Sequence, residues 1–389
     1  MKPVLVLDAD QRSALAVTRS LGRRGIPVHT GEAASAALAG RSRFSRQFTE
    51  YPSPAREPEH FIQSLIELVQ KQQIGMLLPM TELTSRLLLE HRQEFHGIQI
   101  PFPDQQTVDR LADKCALMRL ASALQIPIPK TWYADSPDKL PAPLEDLPYP
   151  LILKPGMSWL FLQGQWRRAG VRSASTPQEA REILTSDPAF QAHPFLLQEY
   201  VEGHGAGVFA LYDNGKPLAF FAHRRLREKP PEGGVSVLSE SVEVDPLQGA
   251  HARTLLDHAG WHGIAMVEFR LAPDGTAYLM EINTRFWGSL QLAIDAGVDF
   301  PWLLYQLASG EQPEAVSNYR SGKRLRWLLG DLDHLYLVLR DGRYPIVRKL
   351  RTVMQFLRPS PFRTRHEVNR WNDLAPFWYE LKAYVRDVL

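Results

Sequence analysis

Cysteine is almost absent. The 389 residues hold one, Cys115, which excludes an intrachain disulfide and fits a reducing compartment such as the cytoplasm. A lone thiol is more readily a packed side chain than a nucleophile, because thiolate chemistry needs a special electropositive setting. Long apolar runs are also missing. No window approaches the ~18 uninterrupted apolar residues of a membrane-spanning helix. The apolar run at 4–7 is too short for the core of a signal peptide and ends at Asp8. Neither charge sign dominates: 45 Lys and Arg face 43 Asp and Glu, a net +2, so composition gives no reason to expect nucleic acid. Absent too is a glycine-rich turn after the first strand. Residues 8–13 read Asp-Ala-Asp-Gln-Arg-Ser, which argues against a nicotinamide-dependent oxidoreductase.

What is present is ordinary globular material, 44% hydrophobic and 23% charged, in a chain long enough for two or three domains. The run at 4–7 reads as a buried strand, Ala14, Val17 and Leu21 as a helix face, and 26–29 as a second strand. This βαβ opening predicts a parallel sheet within roughly the first hundred residues. Pro101 and Pro103 mark a boundary, and a helix is expected over 107–124. The stretch that follows is strand-rich. Asp213-Asn214-Gly215 and Pro273-Asp274-Gly275 each sit between strand-like segments, as hairpin turns do.

The second hairpin carries the chemistry. Its first strand holds Glu268 and its second reads Glu281-Ile282-Asn283-Thr284-Arg285. Residues two apart on a strand share a face, so Glu281 and Asn283 point together, and the hairpin brings Glu268 beside them. Two carboxylates and an amide oxygen suit Mg²⁺, which takes hard oxygen ligands and binds together with substrate phosphates. The competing reading is a solvated strand edge with ordinary surface acids.

At these residues the chain resembles the ATP-grasp superfamily of ligases, above all its carboxylate–amine ligase and carbamoyl-phosphate-synthase-like group. That family has an acid on one strand and Glu-x-Asn-x-Arg on the next. The resemblance implies an α/β and α+β architecture. An N-terminal Rossmann-like domain would cover 1–106, and an ATP-grasp core 107–310 with a lid subdomain at about 150–202. A helical, basic C-terminal extension would follow over 311–389. It implies ATP and Mg²⁺, or Mn²⁺ in its place, as cofactors, with Glu268, Glu281 and Asn283 as metal ligands. Lys114, early in its helix, and Lys154, ending the apolar strand at 149–154, would hold the nucleotide phosphates. The segment Gln198, Glu199, Tyr200, Val201 and Glu202 would hold adenine, the backbone of Glu199 and Val201 meeting its edge. Glu202 would stand in for a ribose-binding acid that the family places a few residues later and this chain lacks.

By the same resemblance the reaction would phosphorylate a small-molecule carboxylate and join it to an amine, releasing ADP and phosphate. Arg285 would face the charge on the acyl phosphate. Arg225, in a basic loop at 223–229, would take the acceptor's anionic group. A non-catalytic ATP-binding regulator is the alternative. The family's phosphate loop is usually small and glycine-rich, whereas 156–166 here holds Trp159, Phe161 and Trp166. These aromatics either pack on their own subdomain or form an apolar lid.

The tail differs in charge. Residues 320–370 carry 13 basic and four acidic side chains, a formal +9. Apolar residues recur there at near-helical spacing. Such faces either pack on the core or contact an anionic membrane surface.

Overall fold

The run at 4–7 forms β1 (Val4–Val6), and the helical spacing after it forms α1 (Arg12–Arg23). Then come β2 (Val28–Glu32), β3 (Ser45–Glu50), α2 (Pro58–Lys71), β4 (Met76–Leu78) and α3 (Glu82–Glu90). The strands make a parallel sheet in the order β3-β2-β1-β4, as the βαβ pattern predicts. The structure, a computed structural model, describes residues 2–358 and 364–388. Arg363, one of the basic residues of the tail, lies outside the described residues.

The helix expected over 107–124 is two helices, α4 (Gln105–Ala112) and α5 (Lys114–Ala123). Asp113 divides them. Its backbone is extended and its side chain accepts a hydrogen bond from Ala116 N, so it caps a new helix instead of continuing the old one. Cys115 is buried in α5, where burial pushes its thiol up to about 12, as fits an inert side chain.

A second unit contains β5 (Thr131–Ala134), β6 (Leu151–Pro155), the hairpin β7 (Trp159–Leu162) and β8 (Gln165–Arg168), and β9 (Arg172–Ala174). Helices α6 (Pro177–Ser186) and α7 (Pro188–Ala192) lead to β10 (Phe195–Glu199). Its antiparallel sheet runs β5-β10-β6-β9 over a small core of Leu151, Leu153, Phe195 and Leu197.

The central sheet begins with β11 (His204–Asp213) and β12 (Lys216–Lys229). Asn214 and Gly215 both take positive φ at their junction, the backbone that a two-residue hairpin turn requires. Next come β13 (Val235–Val242), α8 (Pro246–His258), β14 (Gly263–Leu271) and β15 (Ala277–Asn283). Helices α9 (Leu290–Ala296) and α10 (Phe300–Ala308) pack against α1. One core joins Val4, Val6 and Leu15 to Phe209, Phe221 and Leu290, so the N-terminal sheet and the central sheet are held together by shared apolar packing.

The tail is mostly helical, with α11 (Leu328–Arg340), α12 (Ile346–Leu357) and α13 (Ala375–Val388), but it also extends the central sheet. Strand β16 (Arg324–Arg326) pairs antiparallel with β13, and β17 (Thr364–His366) pairs parallel with β16. The final sheet order is β15-β14-β11-β12-β13-β16-β17. Ion pairs fasten this region inward. Arg19 donates to Asp373 at 2.8 Å with both side chains 1% exposed, and Arg370 reaches Asp295 at 2.6 Å.

Candidate active site

Glu268 on β14 stands opposite Glu281 on β15, and Met266 opposite Asn283. A bulge follows, because Phe269 pairs with Leu279 and Met280 is the extra residue. Val267, Phe269, Leu279 and Ile282 are buried in the core behind the sheet. Glu268, Glu281 and Asn283 look into a cavity of about 750 Å³. Asn283 Nδ2 donates to Glu281 Oε1 at 3.1 Å, so the same-face pairing expected from strand alternation is present.

Cations surround this patch. The break at Asp113 puts Lys114 at the first position of α5. Its Nζ donates to Ser158 Oγ at 3.1 Å and lies 4.0 Å from Glu281 Oε2. Lys154 on β6 is 8% exposed. Burial pulls its ammonium down to about 8, with Lys114 adding repulsion and Glu281 and Glu268 opposing the shift. Glu281 is lowered: burial pushes it up, but Lys114, Lys154 and the Asn283 hydrogen bond outweigh that. Arg285 lines the same cavity and donates through Nη1 to Phe286 O at 2.9 Å.

The other carboxylate behaves differently. Arg225 Nη2 meets Glu268 Oε2 at 2.7 Å, and Nη1 donates to Glu228 Oε1 at 3.0 Å and to Gly234 O at 3.1 Å. Its Nε is buried with no partner among the described residues. Burial raises Glu268 above the ordinary glutamate value, with Glu281 adding repulsion and Arg225 opposing. Arg225 sits on β12, one strand removed from β14. It crosses β11 over Gly205, where a Cβ would come within 3.2 Å of Arg225 Nη1 and 3.3 Å of Cδ. That role of Gly205 is invisible in the sequence.

The oxygen donors fit a hard divalent cation. Two carboxylates directly opposed across a strand pair repel each other, and a cation between them relieves that. Among the described residues there is no group of three or more His, Cys, Asp or Glu that could hold a metal by itself. An ion here therefore needs further oxygens, from water or a bound phosphate, which is how Mg²⁺ is commonly held.

The segment at 198–202 lies at the end of β10, outside the residues lining the cavity. Gln198 is buried and its Nε2 donates to Thr131 Oγ1 at 3.0 Å. Glu199 N donates to Lys130 O at 3.1 Å, and Tyr200 N to Pro150 O at 3.2 Å. Val201 O accepts from Arg270 Nε at 3.2 Å, and Arg270 in turn lines the cavity. Glu202 is exposed.

The basic run at 223–229 is not a loop but part of β12, paired with β13. Its arginines carry their own counter-ions: Arg224 meets Glu240, Arg225 meets Glu268 and Glu228, and Arg227 meets Asp331. The aromatic segment forms the β7–β8 hairpin and leans on the N-terminal unit, since Trp166 N donates to Ala55 O at 2.9 Å and Arg86 lies over the Trp166 ring. Trp159 lines the cavity, so aromatic packing and a wall of the site coincide.

Two further residues reach the cavity, Arg12 with no signal in the sequence and His223 as the first residue of the basic run. Arg12, from the first helix, reaches the cavity while bonded to Glu367 and lying over Trp327. His223 is buried, with Nδ1 3.2 Å from Ser289 Oγ and Nε2 without a partner among the described residues. Burial, with Arg225 nearby, pushes it down to about 3, so it is neutral at neutral pH.

Residues 191–330 match a family profile described as ATP-grasp in the biosynthetic pathway with Ter operon. The C-terminal section of the carbamoyl phosphate synthase large chain of Methanopyrus kandleri is 25% identical over 238 residues, 58% of this chain and 42% of that protein. The L-amino acid ligase of Bacillus licheniformis superposes with a TM-score of 0.64 at 16% identity, covering 83% of this chain and 78% of the other. Biotin carboxylase of Campylobacter jejuni, solved as a β-γ-ATP complex, gives 0.62 at 15% identity over 82% and 74%. The chain has the ATP-grasp fold. It spans less than half the length of the curated relatives it matches, 42% of one and 21% of another. Among the described residues, no helix of this ATP-grasp chain is long and apolar enough to cross a membrane.

Proposed function

We propose that this ATP-grasp chain is a ligase that uses ATP and Mg²⁺ to join a small-molecule carboxylate to an amine. The observation that carries the reading is the Glu268–Glu281 pair with Asn283, facing Lys114 and Lys154 across one cavity. A cluster of this composition is costly to bury for packing alone and gains stabilisation from polyphosphate and a divalent cation. The ligases and carboxylases among its relatives point to the same chemistry.

In this reading a carboxylate oxygen attacks the γ-phosphorus of ATP and ADP leaves. The amine nitrogen then attacks the acyl carbon, phosphate leaves, and the amine gives up a proton. Lys114 and Lys154 hold phosphate oxygens, and Arg285 faces the acyl phosphate's charge. Backbone of the 198–202 segment holds adenine. Because Glu199 N and Val201 O already have partners, this role falls to the Glu199 carbonyl and the Val201 amide. Glu268, Glu281 and Asn283 would hold Mg²⁺, which when bound neutralises charge between phosphates and carboxylates. Arg225 favours the charged form of Glu268 and holds it in place, and reaches the acceptor only by giving up one of its two glutamates. Arg12 and Trp159 bound the acceptor side of the cavity.

An ADP-release screen over paired carboxylates and amines, with products identified by mass spectrometry, tests the reading. A pair giving stoichiometric ADP and amide is the expected result. ATP binding with no ADP formed for any pair would leave the non-catalytic regulator in its place.

A further inference from the structure

Helix α12 is strongly amphipathic, and its apolar face points away from the protein. Ile346, Val347, Leu350, Met354 and Leu357 are between 58 and 72% exposed. At helical spacing these five occupy one continuous arc of the surface. Thr352, on the opposite side, is buried, and beside it Phe356 contacts Arg326, whose guanidinium lies 4.2 Å from the ring centroid. The helix is therefore seated on the protein through Thr352 and Phe356, and its five aliphatic side chains on the other face are left to solvent. Isolated exposed apolar residues need no explanation, but five on one face of one helix do.

The charge around this face is of one sign. From 342 to 358 the chain holds Arg343, Arg348, Lys349, Arg351 and Arg358 and no acid. Arg343 is neutralised by Asp341 and Glu232. Among the described residues no acid pairs with Arg348, Lys349, Arg351 or Arg358. Elsewhere in the tail Arg324, Arg365 and Arg370 meet acids of the core and Arg326 meets Asp331 of α11, while among the described residues Arg320, Lys323 and Arg340 have no acid within ion-pair distance. Four cations without an ion-pair partner among the described residues thus lie on or next to the helix whose apolar face is bare.

We propose that α12 docks on an anionic lipid surface, its apolar face inserted among the acyl chains and its basic flanks at the headgroups. The pattern is that of an interfacial helix, which lies in the plane of the membrane about 5–10 Å into the headgroup boundary. A second copy of the chain is disfavoured as occupant, because pairing α12 with α12 would set the same basic residues against each other. One flank of the helix, through Arg348, Arg351 and Gln355, also lines a cavity of about 420 Å³. That cavity shares Arg225, Glu228 and Arg270 with the main one. Docking would bring an entrance to the cleft close to the membrane surface.

Co-sedimentation of the full-length protein with vesicles of phosphatidylcholine alone, or with phosphatidylglycerol added, tests this. Wild type should pellet with the phosphatidylglycerol vesicles at low salt and be released at high salt. L350E/L357E should lower the pelleted fraction at least ~10-fold without changing the thermal unfolding curve, since both side chains are mostly exposed. No pelleting of wild type at low salt would overturn the proposal, as would equal pelleting of the double variant. Sedimentation velocity completes the test. Self-association of wild type that L350E/L357E abolishes, with no vesicle binding, would reassign the face to a second copy. The readout is lipid binding, not turnover, so its failure leaves the ligase reading untouched.

Discussion

At the Glu281 end of the main cavity two ammonium groups, Lys114 and Lys154, face one carboxylate. At the Glu268 end one guanidinium, Arg225, faces two, Glu268 and Glu228. The two glutamates are cross-strand neighbours with the same backbone environment, yet Glu281 is held below its ordinary value and Glu268 above it. The difference lies in the counter-ions. The first end has surplus positive charge on flexible stems, which can be redirected to phosphate oxygens. The second is locked by hydrogen bonds in a fixed fork, as arginine pairs are, and has surplus negative charge. A polyphosphate suits the first end and a divalent cation the second.

The sharpest way to break this asymmetry is Arg225→Ala. Removing one partner of a nearly buried ion pair leaves Glu268 uncompensated, and a loss of about 3–5 kcal/mol of stability is expected. The sign with pH is specific. A carboxylate whose folded-state pKa is raised is favoured when protonated. The penalty is therefore fully present above that pKa and disappears as pH falls below the unfolded value near 4.5. Urea unfolding of the variant should show partial recovery on acidification. A constant deficit across pH would mean that Arg225 matters for packing alone.

Glu281→Gln breaks the other end. It takes away the one carboxylate facing Lys114 and Lys154, whose lowered pKa marks it as stabilising when charged, so stability should fall at neutral pH and the deficit should vanish as pH drops through the folded-state pKa of Glu281, while turnover falls at least ~10²-fold. Unchanged ADP formation in a folded Glu281→Gln protein would remove the basis of the ligase reading.

How far the sequence foretold this site depends on the distance over which each contact forms. The same-face pairing of Glu281 with Asn283 follows from strand periodicity, and the approach of Glu268 from the Asp274-Gly275 turn. Those are local rules. Arg225 was legible as a basic residue near the cleft but not as the partner of Glu268, because that contact crosses an intervening strand and depends on Gly205 having no side chain. The same holds for Arg12, held in the cavity by Glu367 from the far end of the chain. The parallel N-terminal sheet was readable from its apolar periods. The strands β16 and β17 were not, since three-residue segments beside arginines carry no periodic signal.

A smaller effect is expected at Lys154. Lys154→Ala should weaken ATP binding about tenfold, the scale of one charge-assisted contact partly replaced by Lys114. The lowered ammonium, near 8, gives a second readout. Near and above that pH the free protein has lost part of this charge, and a bound phosphate would restore it by raising the pKa. ATP binding to wild type at mildly alkaline pH should therefore take up protons, seen as a dependence of the calorimetric heat on buffer ionisation enthalpy. Lys154→Arg should bind without that uptake. Equal uptake in both proteins would place the titrating group elsewhere.

The mildest change is Gly205→Ala. The added Cβ would meet Arg225 Nη1 at 3.2 Å and Cδ at 3.3 Å, tight enough to push the side chain by a few tenths of an ångström but not to exclude it. Two terms oppose each other. Alanine fits a strand better than glycine and constrains the unfolded chain, worth about 0.5–1 kcal/mol. Loosening the Arg225–Glu268 contact costs a similar amount, since a fraction of a charged hydrogen bond is lost. Net stability at neutral pH should thus move by less than about 1 kcal/mol. The asymmetry predicts which term shows at low pH. Once Glu268 is protonated the arginine contact matters less, so only the backbone gain remains and Gly205→Ala should be the more stable protein. A variant less stable than wild type at acidic pH would mean that the glycine is needed by the strand itself and not by the arginine lying across it.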